Sequence, residues 1–204
     1  SSNFGSKSQQ KRDIITEISA VLAFSGTQNN DTIGATLFTD KVEKFIPPKK
    51  GKSHVLRIIR ELIDFTPTGN GTNIHEAMSF FNSVTNKRSI AFLISDFYDK
   101  DFDRPLQIAS RKHDLVSLII RDRAEDQLPS LGLAPIVDFE SGKRLWIDTS
   151  SKSVRNHYNQ RKAAHQKYTI ELLRKAGIDY TEIYTGQPYT KPLMQLFKKR
   201  EAKR

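Results

Sequence analysis

A chain of 204 residues with 37% hydrophobic and 27% charged residues carries enough apolar material to build one core and too much to stay unfolded. The absence of cysteine excludes a disulfide scaffold, a thiolate metal site and a thiol nucleophile. The net charge of +10 sits at one end: residues 1–150 hold 20 Lys and Arg against 19 Asp and Glu, whereas residues 151–204 hold 13 against 4. One domain over 1–204 is expected, with a near-neutral body (1–150) and a basic helical C-terminal part (151–204). No apolar run approaches the roughly 18 residues that a membrane-spanning helix needs, and no charged-then-apolar leader opens the chain. The reading is therefore a soluble, cytoplasmic protein without a membrane segment.

From Lys7 to Phe24, Ile14, Ile15, Ile18, Val21 and Leu22 recur at helical spacing, with Lys11, Arg12, Asp13 and Glu17 on the polar side. Thr32 to Phe38 and Val42 to Ile46 read as two short strands turning at Thr39-Asp40, and Pro47-Pro48 and Gly51 are expected to break the chain. A broad apolar stripe marks a helix over Ser53 to Phe65. The loop TPTGNGTN, Thr66 to Asn73, leads into a helix from Ile74 to Val84. Ser89 to Ser95, SIAFLIS, is a nearly continuous apolar run of strand length, as expected where helices cover both faces of a parallel sheet. A short helix over Pro105 to Arg111 and a buried strand over Leu115 to Ile120 follow. Ile136 to Asp148 reads as a β-hairpin through Ser141-Gly142-Lys143, with Trp146 half-buried on it. A long polar helix from Ser151 to Ala176 stops at Gly177, a last strand covers Asp179 to Tyr184, and a last helix covers Pro192 to Lys199. This rhythm predicts an α/β fold, a doubly wound, mostly parallel sheet flanked by helices.

Ligands in such a sheet bind beyond the carboxyl ends of the strands. Three segments are expected there: Ser1-Ser2-Asn3-Phe4-Gly5-Ser6 at the start, the loop carrying Gly71-Thr72-Asn73, and Ser95-Asp96 at the end of the apolar strand. Hydroxyls with one carboxylate suit Mg²⁺ or Mn²⁺ with waters left in the shell, and such an under-neutralised ion accepts a carboxylate from a partner.

The segments FGSKSQQKRDIITEISAVLAFS, FTDKVEKFIPPKKG, HVLRIIRELI, FLISDFYDKDF, ASRKHD and LWIDTS resemble an uncharacterised bacterial family, domain of unknown function 58. Its members carry a von Willebrand factor A-like, Rossmann-like domain and accompany MoxR-type AAA+ ATPases. The resemblance runs over nearly the whole chain. It implies a metal-ion-dependent adhesion site made of Asp-x-Ser-x-Ser after the first strand, a loop Thr, and an Asp ending the fourth strand. On that basis Ser1, Thr72 and Asp96 are the metal ligands, and Ser2, Asn3, Asn73 and His75 lie where a partner binds. The Asp and first Ser of the motif, and the apolar strand before them, are absent from this sequence. The sheet is thus expected to lack its first strand and the site to be incomplete, with the gap filled by a partner strand or by dimerisation.

Asp99, Asp101 and Asp103 open like a calcium loop, but Arg104 stands where Gly is needed and Ser110 where Glu is needed, so a solvated acidic turn is expected. His54, His75, His113, His157 and His165 have no metal-ligand spacing. Neither a nucleophile elbow nor a phosphate-loop signature occurs. The functional expectation is a non-enzymatic adaptor that binds a protein, in family context a MoxR-type ATPase. The alternative is a metal-dependent phosphoesterase or nuclease, or a nucleic-acid-binding domain using the basic tail; nucleic acid is the less favoured partner, since no aromatic-interleaved recognition motif is present.

Overall fold

The computed structural model describes residues 2–69, 71–125, 128–137 and 144–203. The order is α1 (Ser2–Gln28), β1 (Ile33–Phe38), β2 (Val42–Lys49), α2 (Lys52–Asp64), α3 (Ile74–Val84), β3 (Ile90–Ser95), α4 (Asp103–Lys112), β4 (Asp114–Arg121), a 3₁₀ turn (Arg123–Glu125), β5 (Leu133–Val137), β6 (Arg144–Asp148), α5 (Lys152–Lys175), β7 (Asp179–Tyr184) and α6 (Thr190–Glu201). Strands β3, β4 and β7 form a parallel sheet in the order β3-β4-β7, while β1 pairs antiparallel with β2 and β5 with β6.

Helices cover both faces of the parallel sheet, and β4 shows why. Alternate residues Leu115 and Ile119 enter a core with Met78, Phe102, Leu106 and Leu173 from α3, α4, α5 and the loop before α4. Their neighbours Val116, Leu118 and Ile120 enter a second core with Ile14, Ile18, Leu193 and Leu196 from α1 and α6. A strand with apolar residues on both of its faces is what two covered faces require. Burying each such side chain stabilises the fold by about 1.5–3 kcal/mol relative to leaving it in water.

Helix ends follow local chemistry. Asn73 caps α3 by accepting from the Glu76 amide, and Ser151 caps α5 by accepting from the Val154 amide. Gly177, at φ +68°, lets the Ile178 amide reach back to the Leu173 carbonyl and closes α5. Two elements depart from the sequence expectation. Strand β2 continues through Pro47-Pro48, which an edge strand tolerates because its outer row of amides has no ladder to serve. Helix α1 starts at Ser2, so Ser2 and Asn3 sit in a first helical turn instead of a site loop. Ser1 lies outside the described residues, as do Ser141-Gly142-Lys143 of the hairpin connection. Trp146, opposite Pro135 on that hairpin, is 67% exposed instead of half-buried.

Strands β1 and β3 are not hydrogen-bonded to each other. Between them runs a cavity of about 1580 Å³, lined by every residue of β1 and β3 and by α1, α2 and α3. The apolar β3 is consequently less buried than β4: Ala91, Phe92 and Ile94 are half-buried and Ile90 is exposed. No helix among the described residues is long and apolar enough to cross a membrane.

Candidate functional site

The loop carrying Thr72 is fixed by a carboxylate on the neighbouring strand. Glu43 of β2 accepts from the Thr68 amide (3.0 Å), the Thr68 hydroxyl (2.6 Å), the Gly69 amide (2.7 Å) and the Thr39 hydroxyl (2.8 Å). These donors, led by the Thr68 hydroxyl, hold its pKa down at about 2. The Asn73 amide donates to the Thr39 carbonyl at 2.7 Å, closing the loop onto the β1–β2 turn. A Cβ at Gly69 would overlap Asp40 Oδ1 and Thr39 Oγ1, so both side chains would have to shift to admit one. Thr72 emerges half-buried at the wall of the cavity, before Asn73 opens α3.

Asp96 follows the last residue of β3 and lines the same cavity. Its Oδ1 accepts from the Tyr98 amide, and its Oδ2 lies 3.3 Å from Lys11 Nζ. The Lys11 ammonium also meets the Glu125 carboxylate at 2.8 Å. Burial disfavours the charged lysine, but Asp96 and then Glu125 outweigh it and raise its pKa. A second buried cation, Lys162 on α5, donates to the Glu125 carbonyl at 2.5 Å and lies 3.7 Å from its carboxylate. The Tyr98 ring has both ammonium groups near it, Lys11 at 5.5 Å and Lys162 at 5.2 Å from its centroid. Burial, reinforced by Glu125 and Asp96, pushes the Tyr98 hydroxyl far above its ordinary pKa, so it stays protonated.

The turn after Asp96 is strained. Phe97 has φ +59°, in the left-handed region, where a side chain costs roughly 1–2 kcal/mol. Three interactions hold it: its ring is buried against Phe102, its amide donates to Ser95 Oγ at 3.1 Å, and its carbonyl is 2.7 Å from His165 Nε2. The acidic turn is exposed at Asp101, as expected, but the half-buried Asp99 and Asp103 carboxylates are engaged in bracing the site. Asp99 Oδ2 accepts from the Ile74 amide at 2.5 Å, the Asp101 carbonyl meets His75 Nδ1 at 2.9 Å, and Asp103 accepts from the Tyr168 hydroxyl at 2.6 Å.

Of the residues expected at the site, Thr72 and Asp96 share one cavity. Asn73 serves as a helix cap, and His75 is exposed and turned to the Asp101 carbonyl. Sequence reasoning missed Lys11, Glu43, Glu125 and Lys162. Lys11 had been placed on the polar face of its helix with nothing to separate it from Arg12 or Asp13. A divalent ion at Asp96 would have to displace the Lys11 ammonium, and no group of three or more His, Asp or Glu that could hold a metal occurs among the described residues.

The profile of the family described as "Protein of unknown function DUF58" matches residues 1–168. The chain belongs to the DUF58 family. This DUF58 chain is 22% identical over 192 residues to uncharacterized proteins of Mycobacterium bovis and Mycobacterium tuberculosis, a match that covers 92% of the chain and 60% of each relative. The chain thus spans somewhat under two thirds of their length. An uncharacterized protein of Mycobacterium avium is 21% identical over 160 residues, covering 76% of the chain and 93% of that protein. The fold is shared with the crystal structure of the conserved hypothetical protein BatB from Bacteroides thetaiotaomicron: TM-score 0.56, 15% identity, 94% of this chain and 88% of that one. An aerotolerance-related membrane protein from Bacteroides fragilis, its structure solved with multiple mutations to serines, superposes with the same TM-score and identity over 92% of this chain and 88% of that one.

Proposed function

We propose that this DUF58 chain is a non-enzymatic interaction module of the von Willebrand A type, presenting the C-terminal edge of its sheet to a protein partner. The supporting observation is that the Thr72 loop and Asp96 reach one cavity from different elements, each held by its own anchors, Glu43 for the loop and Lys11 for Asp96. A hydroxyl, a carboxylate and an ammonium at a sheet edge make a specific polar surface, and the braced, strained turn at Phe97 is a feature that clusters at functional sites. The partner proposed, by the resemblance to its family, is a MoxR-type AAA+ ATPase, met on the cytoplasmic side.

The adhesion-site reading asks for Mg²⁺ or Mn²⁺ at Thr72 and Asp96, together with oxygen ligands preceding Ser2. In this chain such an ion competes with the Lys11 ammonium, so recognition is assigned to the protein groups themselves and no step is routed through metal. The phosphoesterase alternative needs several carboxylates free to hold metal, whereas Asp96 and Glu125 share one lysine.

Capture on an immobilised MoxR-type ATPase from the same genome tests the reading, with Asp96→Ala compared against the unaltered protein. Loss of capture while the folded fraction is unchanged supports it, and undiminished capture refutes it.

A further inference from the structure

The two ends of the sheet carry opposite charge. Beyond the carboxyl ends of the strands stand Asp96, Asp99, Asp101 and Asp103 after β3, and Asp122 and Glu125 after β4. At the amino ends the cations gather. Arg200 reaches Asp114 and Asp179, the first residues of β4 and β7, so the last turn of α6 lies there with Lys198 and Lys199 exposed on it. Lys87 and Arg88, both exposed, lead into β3, whose first residue Ile90 pairs with Asp114. Strand β1 points the same way as β3: the Thr39 carbonyl just past its end takes the Asn73 amide, and Asp99 just past the end of β3 takes the next one, from Ile74. Lys49 pairs with Ile33, the first residue of β1, and Lys50 and Lys52 follow it, all three exposed.

Helix polarity explains part of this charge and leaves the rest. Helices α4, α5 and α6 end at the amino-end rim, where Arg111, Lys175 and Lys199 complement their negative termini. Helix α2 runs the other way. It begins at Lys52, so Lys49, Lys50 and Lys52 crowd its positive terminus, where cations are disfavoured. Lysine on an edge strand guards against stray strand pairing, which covers Lys49 but neither Lys50 nor Lys52 beyond the strand. Among the described residues, none of these three makes an ion pair, and neither do Lys87 and Arg88. Asp114 and Asp179 are taken by Arg200 and Lys203, which leaves Asp31 and Glu201 as the exposed acids of this rim among the described residues. Such an uncompensated positive field draws an anionic partner.

The shape of the field selects that partner. Its cations come from β2, α2, the loop before β3 and α6, spread across the ends of the strands and not along one helix or the walls of a groove. Most are lysines, point charges without the planar fork that reads a base edge or a phosphate. Among the described residues, no exposed tyrosine or tryptophan stands beside them to stack on a base. A broad array of ammonium groups matches a plane of negative charge, such as the head groups of an anionic lipid bilayer.

We propose that the amino-end rim of the sheet docks this protein on the surface of an anionic lipid bilayer, held by Lys49, Lys50 and Lys52 with Lys87, Arg88 and the end of α6 beside them. The same surface repels the acidic carboxyl-end rim, so docking turns Asp96 away from the lipid. On the functional reading above, that is the side a partner meets; the docking itself does not rest on that reading.

Co-sedimentation of the protein with phosphatidylcholine vesicles, with and without phosphatidylglycerol, tests the proposal. Binding is expected to require phosphatidylglycerol and to weaken as salt is raised. Each rim lysine is expected to tighten it about fivefold, so Lys49→Gln, Lys50→Gln and Lys52→Gln together should weaken it about a hundredfold. A control variant, Lys41→Gln with Lys152→Gln and Lys191→Gln, loses the same charge from the opposite rim, at the turn after β1 and the starts of α5 and α6. All six side chains are exposed, and the control is expected to change binding by less than about threefold. Equal loss in the two variants overturns the proposal, because net charge and not the rim then governs binding. So does an absence of binding to the phosphatidylglycerol vesicles. A short DNA or RNA duplex that binds more tightly than the vesicles, and is released by the rim substitutions, would assign the face to nucleic acid and overturn it as well.

Discussion

Lys11 Nζ stands between Asp96 Oδ2, at 3.3 Å, and the Glu125 carboxylate, at 2.8 Å, with its side chain 13% exposed. It therefore occupies the position from which any other cation would approach Asp96. Lys11→Met removes the charge and keeps most of the aliphatic stem. Leaving two partly buried carboxylates facing each other is expected to cost about 1–3 kcal/mol in urea unfolding. The same variant is expected to bind Mn²⁺ more tightly than the unaltered chain by calorimetry, since the ion no longer has an ammonium to displace. Equal Mn²⁺ binding by both would show that Lys11 does not guard Asp96.

Glu43 is the anchor of the Thr72 loop, and its lowered pKa gives it a pH signature. A carboxylate whose pKa falls to about 2 in the folded protein from 4.5 contributes stability that is complete above about 4.5 and is lost as pH falls toward about 2. Glu43→Gln should abolish that part of the acid transition. At neutral pH it should speed hydrogen exchange at the Thr68 and Gly69 amides, which lose a charged acceptor, while leaving β4 amides untouched. Unchanged exchange at Thr68 and Gly69 would mean the loop is held by something else.

The elements that were legible in the sequence are those whose signal is local. The run SIAFLIS, the alternate faces of Leu115 to Ile120 and the cap residues Asn73 and Gly177 each carry their structural reason within a few neighbours. Thr72 and Asp96 were found the same way, from loop composition and a strand end. Lys11, Glu125 and Lys162 were not, because a charge at one helical position looks the same whether it meets water or a carboxylate 85 residues away, as Lys11 does. The acidic turn misled for a related reason: nothing near Asp99 in sequence announces that the free amide of Ile74 is its partner.

His113, first after α4, is 2% exposed, packs its ring against Phe81 at 4.8 Å, and has no hydrogen-bond partner among the described residues for either ring nitrogen. Burial, with help from the charge of Lys112, lowers its pKa. The folded state thus requires the neutral ring, so its contribution is complete above pH 6.5 and is lost as pH falls below that toward the folded value. His113→Leu removes two unsatisfied polar atoms and keeps a buried apolar group. It is expected to stabilise by about 1–2 kcal/mol at neutral pH and by more at pH 5. Thermal melts at pH 7.5 and pH 5 check this; a gap that stays constant between the two would contradict it.

The basic C-terminal part has internal work. The Arg200 guanidinium, on a side chain 12% exposed, spans Asp179 at 2.9 Å and Asp114 at 2.6 Å, and Lys203 adds a second cation to Asp179 at 2.5 Å. Helix α6 is in this way fastened across the starts of β4 and β7. Burial works against ionised Asp179, but Lys203 and Arg200 outweigh it and lower its pKa. Arg200→Met leaves two carboxylates without their shared fork and is expected to cost about 1–3 kcal/mol, discounted for the partly exposed acids. The stability carried by Asp179 is present above the ordinary Asp range and is lost as pH falls through its lowered value, so the difference between variant and unaltered protein should shrink below about pH 4. Urea unfolding at pH 7 and pH 3 measures both quantities. A tail that served only to attract nucleic acid would show no such stability loss, and the penalty at pH 7 would be absent.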